Sequence, residues 1–253
     1  MLQIIIPSYQ VNPHFKLSKI KIDIKNGEIY SLIGKSGSGK STVAKLAVGL
    51  HLSLDLSVQS NKKEINVNSE RLIPQFPQAG YVPQSLHLKP HHTVREYLDL
   101  LFQKETNSNK LKLTQKYIKL FHIEKILTSK IQLLSGGERQ KIALIEAVSK
   151  PIEYLILDEP FSQLDSEQKL EFIDIIQTLI SENQIPCLLI SHDVSDIIRL
   201  SNRIGLMEKG KLVFKGDLGM FWQTTNKQAA RLKNAMLQWK KETDLQINNL
   251  IAL

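Results

Sequence analysis

The sequence predicts an α/β fold interrupted by a helical insert, and three observations predict it. A short, almost wholly apolar segment, Ile29-Tyr30-Ser31-Leu32-Ile33, runs directly into a glycine-rich turn and then into a stretch of helical composition. Downstream, apolar runs of strand length at residues 154–157 and 186–190 flank a helical stretch at 168–180, the alternation expected of parallel strands joined by crossovers. Between these halves, residues 93–150 keep a helical period throughout, so a helical block is inserted into the strand-helix succession.

Taken in order, residues 16–33 carry Leu17, Ile20, Ile22 and Ile24, a turn at Asn26-Gly27, and the apolar run from Ile29. They read as strand, turn and buried strand, with the first strand in an N-terminal antiparallel β subdomain. Residues 41–50 set Val43, Leu46, Ala47 and Leu50 on one helical face. Residues 51–80 are weakly patterned, with a short alternation at Ile65 and Val67 and loop signals at Pro74 and Pro77. In the insert, Val94, Tyr97, Leu98 and Leu101 share a face, and Tyr117, Ile118, Leu120 and Phe121 form a second group. The last segment places Leu232, Ala235, Met236 and Trp239 on one stripe, expected to pack on the chain's own core. The organisation predicted is one domain: residues 1–84 and 151–217 as an α/β core, 85–150 as a helical subdomain, and 218–253 as a helical tail.

Composition sets the outer limits. At 253 residues with 42% apolar side chains the chain can bury a sizeable core. No run approaches the roughly 20 apolar residues of a membrane-spanning helix, and the opening Met1-Leu2-Gln3-Ile4-Ile5-Ile6-Pro7 lacks a basic leader. A cytoplasmic protein is expected. Cys187, the one cysteine, cannot form an internal disulfide and reads as a buried strand residue. The net charge of +8 suits nucleic acid, an anionic membrane surface or a polyphosphate and does not choose among them. Part of the excess lies in residues 103–130, where seven lysines face two glutamates, a net +5. A solvated helical face accounts for that stretch, and no interleaved aromatics suggest single-strand stacking.

The glycine-rich turn is Gly34-Lys35-Ser36-Gly37-Ser38-Gly39-Lys40-Ser41, followed by Thr42. Glycines at this spacing let successive N–H groups point inward around phosphate oxygens, and the next helix adds its N-terminal partial charge. In this P-loop pattern Lys40 reaches the β and γ phosphates, Ser41 offers a hard oxygen to Mg²⁺, and Thr42 can reach the α phosphate. Asp158 ends the apolar strand Leu155-Ile156-Leu157 and can hold the same metal, while Glu159 is placed to polarise an attacking water. Because neighbouring side chains on a strand diverge, the two carboxylates are expected to face metal and nucleophile separately.

With Leu134-Ser135-Gly136-Gly137-Glu138-Arg139-Gln140 added, the set resembles the nucleotide-binding subunit of an ATP-binding cassette (ABC) transporter over nearly all of residues 1–217. The resemblance implies a P-loop NTPase, RecA-like core, with ATP and Mg²⁺ as ligands. It makes Glu159 the general base and His192, in Ile190-Ser191-His192-Asp193, the switch histidine near the γ phosphate. Gln84, in Tyr81-Val82-Pro83-Gln84, matches the glutamine that coordinates Mg²⁺ and links the nucleotide to the helical subdomain. Ser135, Gly136 and Gly137 cap a helix and, in the family, bind the γ phosphate held by an opposite subunit. Asp165 matches the loop that crosses to that subunit and is equally an N-cap. Tyr9 is the candidate for stacking on adenine, with Phe15 as competitor and a core aromatic as the plain alternative.

The expected partners are a second ATPase subunit, identical or paralogous, docked head to tail, separate transmembrane permease subunits, and a possible solute-binding protein. The location implied is the inner face of the membrane. Residues 158–165 and 88–96 resemble stand-alone importer ATPases, and the surface between Gln84 and Thr93 is the expected docking groove. The alternative is a soluble relative acting on nucleic acid. One cassette and one cysteine fit neither the two-cassette ribosomal type nor the zinc-bearing repair type, so no nucleic-acid partner is expected; a non-hydrolysing ATP-binding protein is disfavoured by Glu159 and His192. Two departures stand out. Glu146 replaces a usual arginine, and the stretch after Leu50 lacks a glycine-marked hairpin.

Overall fold

In the computed structural model, which describes residues 1–51, 53, 55–65, 76–225, 229–230, 233–234 and 237, the chain opens on an antiparallel hairpin of β1 (Leu2–Asn12) and β2 (Phe15–Ile24). Leu2, Ile4 and Ile6 face the core from β1, and Leu17, Ile20, Ile22 and Ile24 from β2. Pro7 and Lys19 drop out of the register, and Lys19 takes φ 53°. Pro7 lies beyond the reach of the strand on the other side of β1, so its missing N–H breaks no ladder there.

β3 (Ile29–Ile33) is buried at every position and leads through the glycine-rich turn to α1 (Lys40–Ala47). β4 (Ser57–Ser60) adds to the free side of β1, and β5 (Lys63–Glu64) folds back on it. The turn between them needs no glycine: Asn61 and Lys62 take φ 49° and 67°, the conformation a two-residue hairpin requires. The stretch that lacks a glycine-marked hairpin thus forms a hairpin without glycine. Val67 and Pro74 of the sequence analysis lie outside the described residues.

After β6 (Ala79–Val82) come α2 (Val94–Leu101), α3 (Asn107–Phe121) and α4 (Gly136–Val148), with two short 3₁₀ turns, Glu124–Ile126 and Ile131–Leu133, between α3 and α4. Thr93 caps α2 in a capping box with Glu96, which fixes where the helical block begins. Glu146 sits on an intact α4 and hydrogen-bonds the Tyr97 hydroxyl on α2, which burial and this carboxylate push above its ordinary pKa. The chain then forms β7 (Tyr154–Asp158), α5 (Ser166–Asn183), β8 (Cys187–Ile190), α6 (Val194–Leu200), β9 (Arg203–Glu208), β10 (Lys211–Asp217) and α7 (Leu218–Gln223). The stripe at Leu232, Ala235, Met236 and Trp239 lies outside the described residues.

Two sheets result, one ordered β2-β1-β4-β5 and a larger one ordered β10-β9-β3-β8-β7-β6, parallel from β9 to β6. The larger sheet is covered on both faces, which is why β3, β7 and β8 are buried at every position and almost wholly apolar. Leu155, Leu157, Cys187 and Leu189 pack with α4, α5 and the insert. Tyr154, Ile156, Leu188 and Ile190 pack with α1 and the smaller sheet, and the Tyr154 hydroxyl donates to the Ala47 carbonyl at 2.8 Å. Cys187 is fully buried and its thiol pKa is raised by that burial, as its strand position predicted. Because β3, β8, β7 and β6 are parallel neighbours, their C-terminal ends meet at one edge of the sheet. The segments beginning at Gly34, Ser191, Glu159 and Pro83 leave from that edge.

Candidate nucleotide-binding site

The turn from Gly34 to Gly39 wraps the N-terminus of α1. Gly39 is the residue that precedes the helix, at φ 103°, and a Cβ there would collide with the Leu17 side chain. Glycine thus serves both the left-handed turn and the close approach of β2. From behind, Gly210 in the β9–β10 turn donates its N–H to the Ser38 carbonyl at 3.1 Å, and Ser18 donates to Gly210 at 2.9 Å. The loop's shape is therefore held by elements on both sides before any ligand arrives.

Lys40 lies across the loop, its Nζ donating to the Gly34 and Lys35 carbonyls at 2.9 and 3.2 Å. Burial lowers its pKa, and the charges of Glu159 and Asp158 act in the opposite sense. Ser41 Oγ donates to Asp158 Oδ1 at 3.1 Å, joining the start of α1 to the end of β7. Asp158 is 2% exposed, and burial raises its pKa against the Ser41 hydrogen bond. A divalent cation would relieve that penalty. Hard oxygens on Ser41 and Asp158 fit Mg²⁺, which commonly takes one or two carboxylate ligands and completes its shell with water and phosphate. No cluster of three or more His, Cys, Asp or Glu ligands exists among the described residues, so the donor set suits a metal shared with a phosphate rather than one held by protein alone.

Glu159 corrects one expectation. It does not continue the strand: its φ is 54°, and its N–H donates to the Ile190 carbonyl at 2.9 Å. The two carboxylates diverge because the backbone turns left-handed after Asp158, not because of strand alternation. The turn brings Glu159 Oε2 to 2.8 Å from Nδ1 of His192, which is 72% exposed and follows β8.

These groups border one cavity of ≈ 810 Å³. Its floor is Gly34, Lys35, Ser36, Gly37, Gly39, Lys40, Ser41 and Thr42; Gln84, Glu159 and His192 close one end, and Val11, Asn12 and Phe15 the other. Ser38 is buried beneath the loop, and Asp158 stands behind Ser41. The structure does not bring Tyr9 to this cavity. Tyr9 faces His51, ring centroids 6.1 Å apart, whereas the Phe15 ring stands 3.3 Å from where a Gly39 Cβ would be. Asn12 stands opposite Phe15 at the hairpin end, after a slip in the register, whereas Tyr9 stands opposite Leu17.

The remaining sequence candidates form a second group away from the cavity. Ser135 caps α4 in a capping box, its Oγ accepting from the Glu138 N–H at 3.2 Å while its own N–H donates to Glu138 Oε2 at 2.7 Å. Asp165 caps α5, accepting from the Gln168 N–H at 2.9 Å. The two caps adjoin: a Cβ on Gly136 would stand 2.9 Å from the Gln163 carbonyl oxygen, and one on Gly137 would strike Gln168. Gly136 is small because the 163–168 segment lies against it.

A family model described as ABC transporter matches residues 17–162, more than half of the chain. The molybdenum import ATP-binding protein ModC of Shewanella sp. (strain MR-4) is 29% identical over 212 residues, covering 81% of this chain and 56% of the relative. The chain thus spans little more than half the length of that curated relative. The protein described as "Probable sulfate/thiosulfate import ATP-binding protein CysA" of Chlorella vulgaris is 32% identical over 203 residues, covering 79% of this chain and 84% of the relative. A solved ATP binding subunit of an ABC transporter superposes with a TM-score of 0.76 at 21% identity, over 93% of this chain and 99% of that one. The dimeric cassette MJ0796 gives 0.74 at 23% identity, over 86% and 99%. With its P-loop NTPase fold and these matches, the chain belongs to the ABC transporter family.

Proposed function

We propose that this protein binds and hydrolyses ATP as the energising subunit of a transporter whose permease is a separate membrane chain, and that the direction is import. The observation that carries the reading is the convergence of Lys40, the Ser41–Asp158 pair and the Glu159–His192 pair on one cavity. In this reading Lys40 and the loop N–H groups hold the phosphates, and Thr42 contacts the α phosphate. Ser41, Asp158 and Gln84 would hold Mg²⁺, which supplies charge neutralisation between the phosphates. Glu159 takes the proton from the attacking water, and His192 fixes the carboxylate that does so.

The second group completes the site in trans. Ser135, Gly136 and Gly137 begin a helix, a terminus suited to a terminal phosphate, and they stand apart from the cavity of their own chain. Two copies, or two paralogues, facing head to tail would put each signature turn over the other's nucleotide, with Asp165 in the crossing loop. Residues 85–150, which carry that turn, act as the helical subdomain and dock on the permease between Gln84 and Thr93. Among the described residues no helix is long and apolar enough to cross a membrane, and the reading assigns the pore to another chain. Import follows from the relatives, named for import of molybdenum and of sulfate or thiosulfate.

Reconstitution tests this reading. The tagged chain extracted with its membrane should retain a polytopic partner, and vesicles holding the pair should move solute only when ATP is supplied on the cassette side. Transport indifferent to ATP, or recovery with nucleic acid and no membrane protein, would exclude it.

Phe15 gives a narrower test. Phe15→Ala should weaken adenine nucleotide binding about tenfold, because a base–aromatic stack is worth ~1–3 kcal/mol, and Tyr9→Ala should leave it unchanged. Fluorescence titration of both variants decides between the two rings; the reverse order would restore Tyr9.

A further inference from the structure

His192 is held from both sides by a network outside the cavity. Lys169, on α5, places Nζ 2.5 Å from Asp193 Oδ2, 2.6 Å from Asp196 Oδ1 and 3.1 Å from Ser195 Oγ. Asp193 directly follows His192 and caps α6. Asp196 is fully buried, and its other oxygen accepts from Ser191 Oγ at 2.6 Å, directly before His192. The residues on either side of the histidine are thus tied to one ammonium group, Asp193 directly and Ser191 through Asp196.

The same lysine reaches the segment that carries Glu159. Its Nζ stands 5.9 Å from the centre of the Phe161 ring, two residues beyond Glu159. The His192 ring is 72% exposed, with Glu159 as its hydrogen-bond partner, so the direction of the ring is set by where its backbone is held rather than by packing around it. Burial, with the charge of Asp193 beside it, raises the pKa of the Asp196 carboxyl, and the hydrogen bonds from Lys169 and Ser191 act in the opposite sense.

We propose that Lys169 is a positioning residue that holds the His192 segment, through Asp193 and Asp196, in register with the segment carrying Glu159, which its ammonium meets at the Phe161 ring. This rests on the hydrolytic reading given above. Lys169 touches neither the cavity nor the nucleotide; it acts through the histidine.

The test is a double-mutant cycle on the full chain with Mg-ATP. Lys169→Met should lower kcat about tenfold or more, the scale of a misplaced catalytic group, with KM for ATP within about twofold. Lys169→Arg should recover most of the rate. In a His192→Ala background Lys169→Met should cost nothing further, because residues acting as one unit are not additive. A merely structural lysine would instead multiply the two losses, and that result overturns the proposal, as does an unchanged kcat. If Lys169→Met does not fold, Asp193→Asn keeps the cap, removes the charge and carries the same cycle: a lowered kcat with no further loss in the His192→Ala background supports the proposal, and an unchanged or multiplicative rate rejects it. Unchanged hydrolysis in Lys40→Ala and Glu159→Gln would reject the hydrolytic reading itself; their inactivity beside a fully active Lys169→Met would reject the Lys169 role alone.

Discussion

Glu159→Gln is expected to stop ATP turnover while ATP still binds, with a rate loss of about 10²–10⁴-fold, the contribution of a positioned general base. The amide has the shape of the carboxylate, so the cavity wall and the left-handed turn at this position are kept. It cannot accept the proton of water. The substitution also removes a negative charge that raises the pKa of Asp158, so Asp158 should ionise more readily and hold its metal at least as well as before. Nucleotide affinity should therefore stay level or rise as hydrolysis falls. On the proposed head-to-tail pairing the terminal phosphate would remain between the two subunits, and the ATP-bound variant should run as a dimer in size-exclusion chromatography. Phosphate release at the wild-type rate would remove Glu159 from the base role. Loss of both binding and turnover would show that the residue serves the shape of the pocket and not the chemistry.

The same residue marks where sequence reasoning reaches its limit. That an apolar strand ends at Asp158, with Glu159 directly after it, was legible from four apolar residues followed by two acids and Pro160. That Glu159 adopts φ 54° was not, since the residue before a proline is expected in an extended conformation. The conformation is imposed by a neighbour far away in sequence, the Ile190 carbonyl. A non-glycine residue held left-handed costs on the order of 1–3 kcal/mol, and such strain persists where the surroundings over-determine it.

Other gaps have the same long-range origin. Distance along the chain from the glycine loop favours Tyr9 over Phe15 but does not say which ring faces the loop: Tyr9 stands opposite Leu17 and against His51, and Phe15 lines the cavity. The β9–β10 hairpin is the exception, with a local mark in the turn pair Lys209-Gly210, φ 45° and 76°, between apolar runs. Lys169 gave no signal, because its partners lie 24 to 27 residues later on another helix. The features that were legible, the glycine loop, its flanking strand and helix, and the two helix caps, are those whose physics is contained in a few consecutive residues.

Lys40→Ala is expected to abolish tight nucleotide binding. Lys40 is the one ammonium spanning the loop, and it already donates to Gly34 and Lys35 across the space where phosphate oxygens would lie. On binding it exchanges neutral carbonyls for charged oxygens, and a hydrogen bond to a charged group is worth ~1.5–3 kcal/mol net. With contacts to two phosphates the loss should reach about a hundredfold or more in Kd. The fold should survive: alanine favours helix at the start of α1, and removing a buried ammonium whose pKa is already lowered relieves a desolvation cost. A pH titration separates charge from shape. Burial lowers the Lys40 pKa from its ordinary value, so wild-type affinity should fall on the alkaline side earlier than an exposed lysine would cause. Lys40→Ala should lack that limb of the profile. Equal affinities by calorimetry, or an alkaline limb that persists in the variant, would assign phosphate binding to the loop N–H groups alone and take Lys40 out of the site.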